Sequence, residues 1–171
     1  MSAPERAYVG LGSNLGEPAA QLASAVQALA RLPRSTLVAV SPGYESLPWG
    51  DPHQGNFLNA VAALDTALTP QQLLGELLRI EREHGRDRSS GRRNGPRMLD
   101  LDLLLHGSRV VDEAGLQLPH PRLGERAFVL LPLHDLAPGL AVPGIGALKS
   151  LLRPEFASLC WRADGADTPP R

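Results

Sequence analysis

Residues 57–85 read FLNAVAALDTALTPQQLLGELLRIEREHG, and the fold turns on how they are read. The first ten, FLNAVAALDT (57–66), form a short apolar run that predicts a strand. Thr69 and Pro70 then mark a helix start. Thr69 suits the N-cap, Pro70 the first helical position, and Gln72 completes a capping box. Leu73, Leu74, Leu77, Leu78 and Glu81 follow at helical spacing, and Gly85 is a natural stop.

The same signals extend outward on both sides. AYVGLG (7–12) reads as a buried strand ended by the turn residues Ser13, Asn14 and Gly16. Pro18 opens a helix with Leu22, Ala25, Val26 and Leu29 on one stripe, and Pro33 stops it. STLVAVS (35–41) is β-branched and short, a second strand. Residues 42–56 are dense in proline and glycine and read as loop. After an arginine-rich loop at 86–97, MLDLDLLLH (98–106) is a fourth strand. A short VV strand (110–111), a proline-rich turn at 119–121, a helix over 124–136 and a small C-terminal segment complete the chain, with a frayed tail over 162–171. The order β-α-β-β-α-β predicts an α+β fold with a ferredoxin-like core and a mainly antiparallel sheet. No linker divides the sequence, so 1–171 is expected to be one domain with its core in about 6–160.

The chain has 171 residues, 43% apolar and 20% charged, with a net charge of −1. That composition supports a real core and excludes disorder. The single cysteine, Cys160, cannot form an internal disulfide, so nothing points to an oxidising compartment. No apolar run approaches the roughly 18 residues that span a bilayer, and the N-terminus does not read as a signal peptide. A cytoplasmic protein without membrane contact is expected. Of 17 Lys plus Arg, only Lys149 is lysine.

Three constellations carry chemistry. Asp100 and Asp102 stand at i and i+2 in an otherwise apolar strand, so both carboxylates face the same side, about 7 Å apart at Cα. Like charges that close repel unless something cationic compensates. Magnesium takes one or two carboxylates and leaves its other positions to water and phosphates, which makes the pair a candidate metal site. The second constellation is the segment 79–97, with seven arginines against three acids in 19 residues. Arg86, Arg88, Arg92, Arg93 and Arg97 lead directly into the aspartates, and guanidinium groups suit bidentate phosphate contacts. The third is LPHPRLGERAF (118–128), where His120 sits between two prolines and Arg126 follows near a helix start.

The usual nucleotide motifs are missing. GLGSNLG (10–16) is G-x-G-x-x-x-G and fails the dinucleotide spacing. There is no Walker-type loop, nucleophile elbow, H-E-x-x-H or zinc-type cysteine pair. A phosphate-binding enzyme here must rely on arginines and a carboxylate-held metal.

Together YVGLGSNLG (8–16), YESLPWG (44–50), FLNAV (57–61), LLRIEREHGRDR (77–88), GPRMLDLDLLL (95–105) and LPHPRLGERAFVLLPL (118–133) resemble the 6-hydroxymethyl-7,8-dihydropterin pyrophosphokinases of folate biosynthesis. The resemblance spans about residues 7–140. It implies a three-layer α/β/α domain that moves a diphosphate from ATP to the hydroxymethyl group of 6-hydroxymethyl-7,8-dihydropterin and releases AMP. It implies that Asp100 and Asp102 bind two Mg²⁺ ions bridging the triphosphate. Arg86 and Arg97 would hold phosphates, Arg88 and Arg93 would sit on a loop closing over ATP, and His120 and Arg126 would approach from the opposite side. Glu81 would lie near the nucleotide. Asn59 would hydrogen-bond the pterin edge and Phe128 would stack on its ring, with Ser46, Leu47, Trp49 and Phe57 lining the pocket and Asp100 at its border. The resemblance also implies a monomer.

Two departures stand out. The tryptophan that many members carry just before GPR is Asn94 here, and the loop 86–97 is one residue longer than in shorter members, leaving Arg92 and Arg93 both candidates for one role. The alternative class is a ferredoxin-like RNA-binding module using the arginine loop. Such modules stack bases on aromatic residues, and this chain is only 4% aromatic.

Overall fold

A computed structural model of the chain describes residues 3–48, 55–85 and 99–164. The elements are β1 (Glu5–Ser13), α1 (Pro18–Ala30), β2 (Ser35–Val40), β3 (Tyr44–Ser46), β4 (Phe57–Thr66), α2 (Pro70–Glu83), β5 (Asp100–His106), β6 (Val111–Glu113), β7 (Leu116–Leu118), α3 (Ala127–Leu136), β8 (Ala141–Val142), β9 (Gly146–Ala147) and β10 (Cys160–Arg162). Short 3-10 turns occupy Leu123–Glu125, Leu148–Leu151 and Pro154–Ser158.

The main sheet runs β10-β3-β4-β1-β5, with β2 also on β4, and every pair in it is antiparallel. Taking β1, β2, β4 and β5 as the four core strands gives the ferredoxin-like arrangement expected from the sequence. Helices cover both faces. Val9, Leu11, Ala62, Leu64, Leu101 and Leu103 bury one face together with Leu22 and Leu29 of α1 and Leu73, Leu77 and Ile80 of α2. Tyr8, Val61, Ala63, Leu104 and Leu105 bury the other together with Val129, Leu130 and Leu133 of α3. The period-two alternation of strand side chains sorts these residues into two cores. β5 departs from it at one point: the register with β1 shifts between Tyr8 and Val9, so Leu104 and Leu105 both join the α3-side core. A bulge of this kind bends the strand just after Asp102.

The capping box forms as the sequence predicts. Thr69 Oγ1 accepts from Gln72 N at 3.1 Å, and Gln72 Oε1 accepts from Thr69 N at 3.0 Å.

Several expectations need correction. Residues 42–56 are not all loop, because β3 pairs with Phe57–Asn59 of β4. Proline and glycine at 42–43 divide β2 from β3 without leaving the edge of β4. At the break, Ser41 N donates to Val61 O at 2.9 Å and Val61 N donates to Ser41 Oγ at 2.9 Å. The strand expected at 110–111 begins at Val111 and pairs with β7, while Val110 is 70% exposed. The helix expected from 124 starts at Ala127, since Arg126 has an extended backbone and serves as its N-cap. Arg162, assigned to a frayed tail, closes β10 opposite Tyr44.

Candidate active site

The site is built on the α3 side of the sheet. Asp102 pairs with Gly10, and Asp100 pairs with Gly12. Gly12 pairs on its other side with Asn59, which in turn pairs with Tyr44. Asp100, Gly12, Asn59 and Tyr44 therefore form one row across four strands and face the same way. Two inter-strand steps separate Asp100 from Asn59, about 10 Å at Cα. The glycine in the row keeps it open: a Cβ on Gly12 would stand 3.3 Å from Asn59 Oδ1 and 3.8 Å from Phe57 Cδ1. The sequence shows Gly10 and Gly12 plainly, but only the register reveals that they lie beside the aspartates and Asn59.

Asp100 and Asp102 are half-buried. Arg126 Nη1 lies 3.5 Å from Asp102 Oδ2, and its guanidinium also sits 5.6 Å from the centre of the Phe128 ring. Arg126 thus joins the acidic pair to the aromatic face. It is also the N-cap of α3, so the positive end of that helix dipole lies beside the carboxylates.

His120 is anchored through its backbone, which donates to Leu104 O at 3.0 Å. Its Nδ1 accepts from Arg122 N at 3.2 Å, which leaves the proton on Nε2. Burial pushes its pKa down to about 4, the charges of Arg126 and Arg122 add to the fall, and Asp100 opposes it. His120 is a neutral donor at ordinary pH.

Asn59 is buried. Its Nδ2 donates to Ser46 Oγ at 2.9 Å and to Tyr44 O at 3.1 Å. The donor end is held by β3, and the carbonyl end is the one available to a ligand. Ser46 is buried opposite Phe57, so it acts as a support for Asn59. Leu47 is 47% exposed.

The structure places Glu81 beside β5. It is buried near the end of α2, and its Oε2 accepts from Leu101 N at 2.8 Å. That hydrogen bond fixes the peptide between the two aspartates from the side of β5 away from β1. Trp49, Arg86, Arg88, Arg92, Arg93, Asn94 and Arg97 lie outside the described residues. Among the described residues no cluster of three or more His, Cys, Asp or Glu forms a metal cage. The acidic pair suits an ion that draws its remaining ligands from water and substrate phosphates.

A family model described as 7,8-dihydro-6-hydroxymethylpterin-pyrophosphokinase (HPPK) matches residues 8–138. A 2-amino-4-hydroxy-6-hydroxymethyldihydropteridine pyrophosphokinase of Pseudomonas aeruginosa is 52% identical over 148 residues, covering 86% of this chain and 90% of that one. The protein of the same name from Methylorubrum extorquens is 50% identical over 148 residues, covering 86% and 92%. A crystal structure described as HPPK-DHPS in complex with substrates superposes with a TM-score of 0.70 at 12% identity, covering 88% of this chain and 43% of that chain. This last likeness concerns the fold, and the chain spans less than half of that longer protein.

Fold and relatives together define the class, an ATP-dependent diphosphotransferase on a ferredoxin-like α+β core. The chain belongs to the 7,8-dihydro-6-hydroxymethylpterin-pyrophosphokinase family, whose reaction transfers a diphosphate from ATP to hydroxymethyldihydropterin in folate biosynthesis. The RNA-binding alternative has no support in these relatives. Its sheet face is also closed, since Val61, Ala63 and Leu104 are buried beneath α3. Among the described residues no helix is long and apolar enough to cross a membrane.

Proposed function

We propose that this chain performs the family reaction with the residues aligned across its sheet, and that one observation carries the assignment. The row Asp100–Gly12–Asn59 places an anionic pair and an amide on one open face about 10 Å apart at Cα. That span fits a flat pterin at Asn59 with its hydroxymethyl arm directed toward a triphosphate at Asp100 and Asp102.

Asn59 accepts from the donor edge of the pterin through Oδ1, and Phe128 covers the ring. Ser46, Leu47, Trp49 and Phe57 line the pocket. Asp100 and Asp102 would hold two Mg²⁺ ions, with Asp100 also bordering the pterin. These ions would neutralise charge on the transferred diphosphate. His120, through Nε2–H, and Arg126 approach the triphosphate from the α3 side. Arg86 and Arg97, with Arg88 and either Arg92 or Arg93, supply guanidinium groups to the phosphates and shield them from water. The substrate hydroxyl oxygen attacks the β-phosphorus in line. A new O–P bond forms, the bond from that phosphorus to the bridging oxygen of AMP breaks, and the hydroxyl proton passes to water. Positioning and electrostatics suffice, and no covalent enzyme intermediate is needed. The whole of 1–171 acts as one domain, as a cytoplasmic monomer. The family resemblance supports that state, and light scattering on the purified chain checks it.

The deciding assay measures AMP release from ATP and magnesium with and without 6-hydroxymethyl-7,8-dihydropterin. AMP formed only in its presence supports the reading; equal release without it refutes it. Asp100→Asn and Asp102→Asn should each lower turnover at least 100-fold while the circular dichroism spectrum is retained. Wild-type-like turnover in both variants removes the metal role.

A further inference from the structure

The hydroxyl of Tyr44, at the end of the row, belongs to a polar triad with Asp135 and Arg162 that joins three elements. The Tyr44 hydroxyl of β3 donates to Asp135 Oδ2 of α3. Arg162 of β10 donates through Nε to the Tyr44 oxygen at 3.3 Å and through Nη2 to Asp135 Oδ1 at 3.2 Å. Each side chain in this ring contacts the other two. Tyr44 is buried, and burial together with Asp135 pushes its hydroxyl up to about 12, so it remains a donor.

The triad matters because of what β3 does. This strand is three residues long and follows directly on Pro42 and Gly43. So short a strand has little pairing of its own to fix its height and tilt. Yet β3 supplies the two shorter of the three acceptor contacts of the Asn59 amide, the Tyr44 carbonyl at 3.1 Å and Ser46 Oγ at 2.9 Å, the third being Phe57 O at 3.4 Å. The direction of Asn59 Oδ1 therefore depends on where β3 lies. On its outer side β3 is paired by β10, with Arg162 directly opposite Tyr44 and Cys160 opposite Ser46. Ala163 N extends the pairing to Gly43 O at 2.9 Å. Asp135 ties the same strand to α3, whose first turn carries Phe128.

We propose that Arg162 and Asp135 are positioning residues for pterin recognition, acting through Tyr44 and β3 to hold the Asn59 amide with its oxygen toward the ligand. This rests on the assignment of Asn59 to the pterin edge. The triad sets the acceptor's aim and touches neither ATP nor the reacting phosphorus.

The test compares steady-state kinetics for Arg162→Gln, Asp135→Asn, Tyr44→Phe and Asn59→Ala in the full chain, with Arg162→Lys as the conservative variant. Arg162 lies at the sheet edge, and Tyr44→Phe keeps the ring in the core, so the set contains members that fold. Arg162→Gln and Tyr44→Phe should each raise KM for the pterin at least five-fold, with kcat and KM for ATP within two-fold of wild type. Arg162→Lys should recover part of the loss. In an Asn59→Ala background, Arg162→Gln should add less than two-fold. An unchanged pterin KM in Arg162→Gln overturns the inference, as does an equal loss for ATP. So does an Arg162→Gln effect that persists in full without the Asn59 amide, which is what a merely structural brace would give. If Asn59→Ala alone leaves pterin KM unchanged, the Asn59 assignment is the step that failed, and the positioning role falls with it.

Discussion

His120 stays neutral in a pH range where an ordinary histidine gains a proton. Burial is the main cause, the Arg126 charge is next, and together they bring its pKa to about 4. Its Nδ1 accepts from the Arg122 amide, so the ring offers Nε2–H to an anion without adding a titrating charge. The consequence for stability has a definite sign. The unfolded chain protonates this ring near pH 6.5, while the folded chain resists until about pH 4. The folded state therefore binds fewer protons in that window, and stability falls as pH drops from 6.5 to 4, then levels off. Urea midpoints at pH 7, 5.5 and 4.5 should show a shallower decline in His120→Asn than in the wild type. Equal slopes would mean that His120 is not the group responsible. The LDLD spacing was legible at this scale because a strand repeats every two residues. The part played by Gly12 was not, because a glycine shows its purpose only through the neighbours its missing side chain admits, here Asn59 and Phe57.

At the scale of elements, legibility followed the range of the forces involved. The start of α2 depends on Thr69, Pro70 and Gln72, all within one turn, and the structure shows the full capping box. Removing it should have a cost confined to stability. Thr69→Ala leaves the Gln72 amide without its acceptor and should lower stability by about 1 kcal/mol. In a chain of this size that corresponds to a fall in Tm of roughly 2–4 °C. KM for both substrates should hold, because Thr69 stands at the opposite end of α2 from Glu81, the residue that reaches the Asp100–Asp102 peptide. Calorimetry and kinetics on one preparation check both halves of this statement. Strands β3 and β10 were not legible, and the reason is physical. Each is three residues long, and each is stabilised by partners distant in sequence, such as Phe57 for Ser46 and Arg162 for Tyr44. Pro42 and Gly43 are correctly read as a break. Local sequence does not show that the chain resumes along the same edge of β4 beyond it.

Across the whole molecule, the two helix layers meet the sheet differently, and this places the site. α1 and α2 bury one face with leucine, isoleucine and alanine. On the other face, α3 covers Val61, Ala63 and Leu104, while its N-cap Arg126 reaches Asp102 and lies over Phe128 of the first turn. The acidic pair there is matched by a net charge near zero for the chain and by a strongly basic segment just before it in sequence. A site of this kind should couple ligand to global stability only when metal is present. Binding at a ligand concentration 100 times Kd adds about 2.7 kcal/mol to the folded state, which corresponds to a Tm rise of roughly 5–10 °C at this chain length. ATP with magnesium should produce such a rise in the wild type, and ATP with a chelator should produce much less. In the Asp100→Asn, Asp102→Asn double variant the magnesium-dependent part should disappear. Its ligand-free circular dichroism spectrum should match the wild type, because asparagine is close to aspartate in size and shape and the like-charge repulsion within the pair is relieved. If the double variant keeps the full magnesium-dependent rise, the metal binds somewhere other than this strand, and the charge pattern of the chain requires another explanation.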